Sequence, residues 1–378
     1  MMPIKLAFVT QFPIDIDRPH GGVEAVSVNL VPALAAYSEF ELHVITLCPD
    51  TITESTEKLE STTIHRIPKP AGSELINALK KGKQLIEGKV KEISPDLIHA
   101  HDTYGIMVKD LNMPKVFTVH GFIYGDTLLA NGKFNVLRSK IWKIIEKSSW
   151  RKQPNIISIS PYVRERLTGV TKAHIFDIDN PISELFFDLT REPRKNVIFT
   201  SAVISPRKNV IQLVKAVKIL VDRGVEVELR IAGGVVDQDY ATQLMEFIAL
   251  NNLQQRVILL GRISTQEVQA ELCQAAIYGL VSLEENSPMG IEEAMAVGVP
   301  VVTSNRCGMP YMVKHGETGY LINPFDEYNI ANKCELILND SKLARKMHLK
   351  AKQLARDLYH VEKVAARTIA VYNEVLAP

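Results

Sequence analysis

At 378 residues the chain exceeds the size at which a single hydrophobic core keeps growing, so two domains of ordinary size are expected. Its 44 Lys and Arg stand against 43 Asp and Glu, a net charge of +1 that excludes an overall field for nucleic acid. Four scattered cysteines, Cys48, Cys273, Cys307 and Cys334, exclude a disulfide framework and a cysteine metal centre, and no stretch approaches the roughly 18 uncharged apolar residues of a membrane span. The N-terminal "MMPIKLAFVTQFP" is too short and wrongly flanked for a signal peptide, so the expected location is cytoplasmic.

Short β-rich apolar runs alternate with segments of helical period, the pattern of a parallel sheet with crossover helices. The first half predicts strands at 5–11, 41–47, 62–68, 96–101, 115–121 and 155–160, with helices at 23–37, 73–93 and 135–151. "DNPISELFFDLTREPRK" (179–195) breaks that rhythm with two prolines and a charge cluster, which places a linker at its end. The second half restarts with strands at 196–203, 227–234, 256–262, 278–283, 300–305 and 319–323, and helices at 208–223, 239–251, 265–275, 288–297 and 326–338. The tail from 341 to 375 reads as helical throughout. The expected organisation is a Rossmann-like domain at 1–185, a linker at 186–195, a second Rossmann-like domain at 196–358, and a terminal helix at 359–378 that packs back on the first domain. In such α/β domains ligands bind beyond the carboxyl ends of the strands, so a cleft between two of them is the expected site.

The corner "LEENSPMGIEEAMAVGVPVV" (283–302) carries the most chemistry. Ser287 suits an N-cap, Pro288 the first helical position, and Glu292 and Glu293 the positive helix end. Capping does not explain Glu285, which falls just beyond a strand end. Backbone N–H groups at this helix start favour phosphate, and carboxylates beside them accept hydrogen bonds from sugar hydroxyls, so a sugar-nucleotide site and plain capping are both open on spacing alone. Arg207 and Lys208 open a helix where positive charge is disfavoured, a hint of an anionic ligand. His120 follows an apolar strand and suits either a structural or a ligand-contacting role. His99 and His101 share one strand face; with no third ligand nearby they suit structure or acceptor contact better than metal.

The spacing of Glu285 and Glu293, followed by "AMAVGVPVV" and "GETGYLI", resembles the donor signature of the retaining glycosyltransferases of family 4, which have the GT-B fold. "GGVEAVSVNLVPALAA" (21–36), "TVHG" (118–121), "ISISPYVRERL" (157–167), "VISPRKNVIQLVKAV" (203–217) and "VILLGRISTQEVQAEL" (257–272) occur in the family's order, so the resemblance covers nearly the whole chain. It implies two doubly wound domains facing across a cleft, and transfer of a sugar from a nucleotide-diphospho-sugar, UDP- or GDP-linked, to a saccharide or lipid-linked hydroxyl acceptor in surface polysaccharide or glycolipid assembly.

Residue by residue, the resemblance implies catalytic work for His120 against the donor sugar, Lys208 on the diphosphate and Glu285 at the sugar. It implies that Glu293 holds the ribose hydroxyls, that the backbone of Met289, Gly290 and Ile291 meets the sugar and distal phosphate, and that Arg262 and Ile263 lie beside the base. Gly21 and Gly22 would let backbone approach phosphate or acceptor. Ala202-Val203 stand where the family has Gly-Arg, leaving Arg207 as the substitute partner of Lys208; Asn286-Ser287-Pro288 replace Gly-Phe-Gly, Cys307 a glycine and Tyr311 an acid. No nucleophile–base pair and no Asp-x-Asp metal motif is read at the cleft, so no metal or other cofactor is expected. The alternative reading, kept open by Val203 and Tyr311, is a non-catalytic nucleotide-sugar-binding homologue that partners an active transferase.

The acceptor side is marked by basic segments at Lys80, Lys81, Lys83, Lys89 and Lys91, and at Arg138, Lys140, Lys143, Lys147, Arg151 and Lys152. The second also carries Leu137, Ile141, Ile144 and Ile145, with Trp142 and Trp150. Peripheral contact with an anionic membrane and ordinary packing on the chain's own sheet are the two readings.

Overall fold

The computed structural model describes residues 3–130, 133–194 and 196–377 and contains two compact units. One comprises Met1–Tyr124, Val136–Pro181 and Val361–Pro378; the other comprises Gly125–Asn135 and Ile182–His360.

The first unit is built on eight strands: β1 (Ile4–Val9), β2 (Phe40–Cys48), β3 (Ser55–Leu59), β4 (Thr62–Pro68), β5 (Leu97–His101), β6 (Lys115–Val119), β7 (Asn155–Ser158) and β8 (His174–Asp177). Their order is β3-β4-β2-β1-β5-β6-β7-β8, parallel except for the antiparallel β3–β4 pair. Central strands such as "LIHAH" are buried along their whole length, as a sheet covered on both faces requires. Val364, Ala365, Ile369, Val371 and Tyr372 of the terminal helix Val361–Leu376 join Leu6, Phe8, Leu30, Val31 and Leu34 in one core, so this helix completes the first unit.

The second unit holds β9 (Val197–Ser201), β10 (Glu228–Ala232), β11 (Val257–Gly261), β12 (Ile277–Leu280), β13 (Val301–Ser304) and β14 (Gly319–Ile322), in the order β11-β10-β9-β12-β13-β14 and all parallel. Strand order reverses between β9 and β12. The loops that follow these two strands therefore diverge and leave a crevice at their carboxyl ends, the position at which open α/β sheets bind ligands.

Three sequence expectations change. The helix expected at 73–93 is two, Glu74–Leu79 and Lys81–Ile93, because Lys80 leaves helical geometry at φ −133° and ψ −95°. The tail is not one continuous helix. Ser341–Leu358 ends where the carbonyl of Tyr359 accepts the N–H of Ile182 at 2.7 Å, and a new helix starts at Val361. Strands β3 and β8 were not anticipated. β3 is exposed along nearly all of its length and so lacks an apolar alternation, while β8 is a four-residue edge strand.

Candidate functional site

The crevice of the second unit is assembled from three loops. The loop after β9 carries Arg207, Lys208 and Asn209. Asn209 adopts a left-handed conformation (φ 56°) that an Asn tolerates better than most residues, and its buried amide donates to the carbonyls of Val281, at 3.2 Å, and Pro324, at 2.8 Å. The N–H of Leu283 donates to the Arg207 carbonyl at 2.8 Å, and Arg207 Nη1 donates to the Glu284 carbonyl at 3.0 Å. These bonds stitch the β9 loop to the β12 loop. A third loop, after β13, is tied on by Gly308 N–H to the Glu285 carbonyl at 2.8 Å and by Arg306 Nε to the Leu283 carbonyl at 3.2 Å. Cys307 here has φ 53°, a left-handed geometry that glycine adopts without strain.

The stitching brings Lys208 and Arg207 onto one carboxylate. Lys208 Nζ lies 2.5 Å from Glu285 Oε1, and Arg207 Nη1 lies 3.2 Å from Glu285 Oε2. Burial works against charge on Glu285, yet Lys208 and then Arg207 outweigh it and hold the carboxyl below its ordinary range. Burial pulls the Lys208 ammonium down while Glu285 opposes it, and Glu285 raises Arg207. Arg207 Nε also lies 3.7 Å from Asp126 Oδ1, so two cations meet two carboxylates at a crevice where backbone dipoles favour an anion.

The adjoining helix, Met289–Val297, begins one residue later than its sequence suggests. Pro288 is the N-cap, and the Ser287 hydroxyl, expected to cap the backbone, donates instead to Glu292 Oε1 at 2.6 Å. This corrects the capping assignment for both Ser287 and Pro288. Gly290 is required by contact: a Cβ there would meet Tyr278 Oη at 2.1 Å and Ser201 Oγ at 2.7 Å, which are themselves joined at 2.9 Å. Gly290→Ala is expected to shift this helix start and cost about 1–3 kcal/mol of stability, measurable by chemical denaturation.

Glu293, in the second turn, is partly buried and its carboxylate has no hydrogen-bond partner among the described residues. Burial pushes this carboxyl up to about 7. Tyr278, buried between the helix and β9, is raised by burial first and then by the fields of both Glu293 and Glu285. Its hydroxyl therefore senses both acids of the sequence signature. Exposed Arg262 and half-buried Ile263 follow Gly261 at the carboxyl end of β11, two strands from β9.

In the first unit, Gly21 is the N-cap of the helix Gly22–Ala35, in extended geometry with φ −178°. A Cβ on Gly21 would meet nothing within 4 Å, so the fold itself does not demand glycine there. His120 Nε2 pairs with His101 Nδ1 at 2.8 Å, the rings stacked at 4.9 Å, and burial lowers His120 to about 4 against the opposing effect of its hydrogen bond to Asn180. His99 has both ring nitrogens occupied, Nδ1 with Tyr372 Oη at 2.5 Å and Nε2 with Thr118 Oγ1 at 2.7 Å. It is a structural link to the terminal helix, and burial keeps it neutral, down to about 3.

With this geometry in place, comparison with known proteins is decisive. Residues 20–183 match the family model described as Glycosyltransferase Family 4, and residues 181–354 match Glycosyl transferases group 1. The chain is a GT-B glycosyltransferase of the family 4 and group 1 type. It is similar to an uncharacterized glycosyltransferase of Methanocaldococcus jannaschii, 26% identical over 366 residues and covering 94% of this chain and 95% of that one. It is also similar to MMP alpha-(1->4)-mannosyltransferase of Mycolicibacterium hassiacum, 23% identical with 95% and 88% coverage. Among solved structures, sucrose-phosphate synthase of Thermosynechococcus elongatus shares the fold with a TM-score of 0.83 at 20% identity, covering 98% and 99% of the two chains. Anabaena HepE, solved in complex with UDP-glucose, gives a TM-score of 0.75 at 17% identity with 98% and 100% coverage. Against this background the transferase's sequence reveals Lys208, Arg207, Glu285 and Glu293 but not Asn209, Tyr278 or Ser201. The last two sit on strands and look like ordinary core residues until Gly290 is placed over them.

Proposed function

We propose that this chain is a retaining hexosyltransferase that moves a sugar from a nucleotide-diphospho-sugar, UDP- or GDP-linked, to a hydroxyl acceptor. The acceptor belongs to surface polysaccharide or glycolipid assembly, met at the cytoplasmic face of a membrane. One observation carries the donor reading: two cations held on Glu285 at the β9/β12 switch point, with the unpartnered Glu293 carboxylate nearby on the next helix. The diphosphate takes the cations and the helix start, and the ribose hydroxyls donate to Glu293. That HepE was solved with UDP-glucose supports this class of donor.

In the proposed reaction the bond from the anomeric carbon to the diphosphate oxygen breaks, and the acceptor oxygen bonds to the same face of that carbon. The acceptor's proton passes to the leaving phosphate oxygen. The protein's part is positioning and stabilisation of the leaving charge by Lys208 and Arg207, with no divalent ion required. His120 and the Gly21-Gly22 loop are assigned to the sugar and acceptor side on the family resemblance.

A thermal-shift screen of nucleoside diphosphates and their sugars, run in parallel with EDTA and with magnesium, tests the reading. A ligand at a hundredfold excess over its Kd adds about 2.7 kcal/mol of stability, a shift that Lys208→Ala and Glu293→Ala should abolish. If no nucleotide shifts the melting temperature, the assignment fails; a shift that needs a divalent ion overturns the metal-free mechanism.

A further inference from the structure

The helix Asn135–Trp150 is amphipathic in the reverse of the usual sense. Its inward face is polar and aromatic: Ser139, Trp142, Glu146, Ser149 and Trp150 are all buried. Ser139 Oγ donates to the Tyr124 carbonyl at 2.7 Å, and the Glu146 carboxylate accepts the N–H groups of Ile123 and Tyr124 at 2.9 and 3.0 Å. Its outward face is aliphatic. Leu137 is 58% exposed, Ile141 38% and Ile144 70%, and their spacing sets them in one stripe along the helix. At about 100° per residue, Lys140 and Lys147 line one flank of this stripe and Arg138 the other, while Lys143 sits over the Tyr124 ring, 5.2 Å from its centroid. The helix's only acid, Glu146, is turned inward and occupied, so the exposed face carries positive charge alone.

The other basic segment does not share this character. On the helix Lys81–Ile93, Ile86, Val90 and Ile93 are buried and Leu85 is exposed, Lys83 pairs with Asp110 and Glu87, and Lys89 is buried between Glu54 and Glu92. The two segments differ in their outward stripe: Leu137, Ile141 and Ile144 line the second helix, whereas Leu85 is the exposed aliphatic side chain on the first.

We propose that the outward face of Asn135–Trp150 seats the protein on a bilayer bearing anionic headgroups. Leu137, Ile141 and Ile144 enter the headgroup boundary, and Lys140, Lys147 and Arg138 meet lipid phosphates. A second copy docking on this face would set cations against cations, which disfavours a dimer through it. The inference deepens the membrane-side reading of the acceptor given above, but its residues are separate from the donor site, so each can fail alone.

The test is co-sedimentation of the full chain with vesicles of phosphatidylcholine, pure or with about one third phosphatidylglycerol. Wild type should bind the anionic vesicles and not the neutral ones. Leu137→Ser/Ile144→Ser and, separately, Lys140→Gln/Lys147→Gln should each weaken partitioning about tenfold or more. Both variants should keep the wild-type melting temperature and the wild-type rate of donor hydrolysis in vesicle-free solution. Failure of folded wild type to bind, or equal binding to neutral vesicles, overturns the proposal. So does a wild-type dimer, seen by light scattering, that the Leu137→Ser/Ile144→Ser variant dissolves without any vesicle binding. Vesicle binding by a protein that turns over no sugar nucleotide would sink the donor reading and leave this one standing.

Discussion

Lys208→Ala is expected to lower kcat/KM for the sugar nucleotide by about 10²–10³-fold while costing little stability. The asymmetry follows from the geometry. Removing Lys208 leaves Glu285 with Arg207 at 3.2 Å, so the buried carboxylate keeps a cation. What is lost is the ammonium that would meet the departing diphosphate in a water-poor crevice, where a fixed charge acts more strongly than in bulk water. Lys208→Arg should recover part of the rate, since charge is kept but its placement is not. Glu285→Ala should behave differently, because it strands partly buried Lys208 and leaves Arg207 with Asp126 at 3.7 Å alone; it should cost about 3 kcal/mol of stability as well as activity. Steady-state kinetics paired with urea denaturation separates the two patterns. If Lys208→Ala unfolds the protein as readily as Glu285→Ala, the cluster is structural and its role on a diphosphate is lost.

The same cluster shows what sequence can and cannot convey. Alternating apolar runs located the six parallel strands of the second unit, because buried parallel strands leave an almost continuous apolar trace. Chemical type then marked Lys208, Arg207, Glu285 and Glu293 as out of place near strand ends and a helix start. Two things stayed hidden. One is pairing across the fold: Glu285 reads as an acid at the sugar, whereas the fold pairs it with residues 77 and 78 positions away, a contact that no local pattern encodes. The other was support by unremarkable residues. Asn209 looks like a helix cap but spends its amide on two loop carbonyls, and Tyr278 looks like core but fixes Gly290 from below. Packing decided both. The burial of Trp142 and Glu146 with exposure of Ile144 was undetermined for the same reason, since periodicity gives a helix two faces without saying which one turns inward.

Glu293→Gln is expected to act in opposite directions on stability and on donor binding, each with its own pH dependence. Burial raises this carboxyl from its ordinary 4.5 to about 7. Between those values the folded chain holds a proton that the unfolded chain has released, so wild-type stability is full below the ordinary value and declines as pH rises through about 7. Glutamine carries no such charge. At about pH 8 Glu293→Gln should therefore be more stable than wild type, by about 2 kcal/mol once partial solvent access is allowed for, and at about pH 4 the two should match. Donor binding runs the other way, because ribose hydroxyls donate best to an ionised carboxylate. Wild-type affinity should rise with pH through about 7, reaching a tenfold gain per pH unit at most, and Glu293→Gln should bind about 10–100-fold more weakly at about pH 8 with a flat profile. A pH series of melting curves with and without nucleotide reads both effects in one experiment. A flat wild-type affinity profile would detach Glu293 from the donor, and a variant less stable than wild type at alkaline pH would show that the carboxylate holds a structural partner instead.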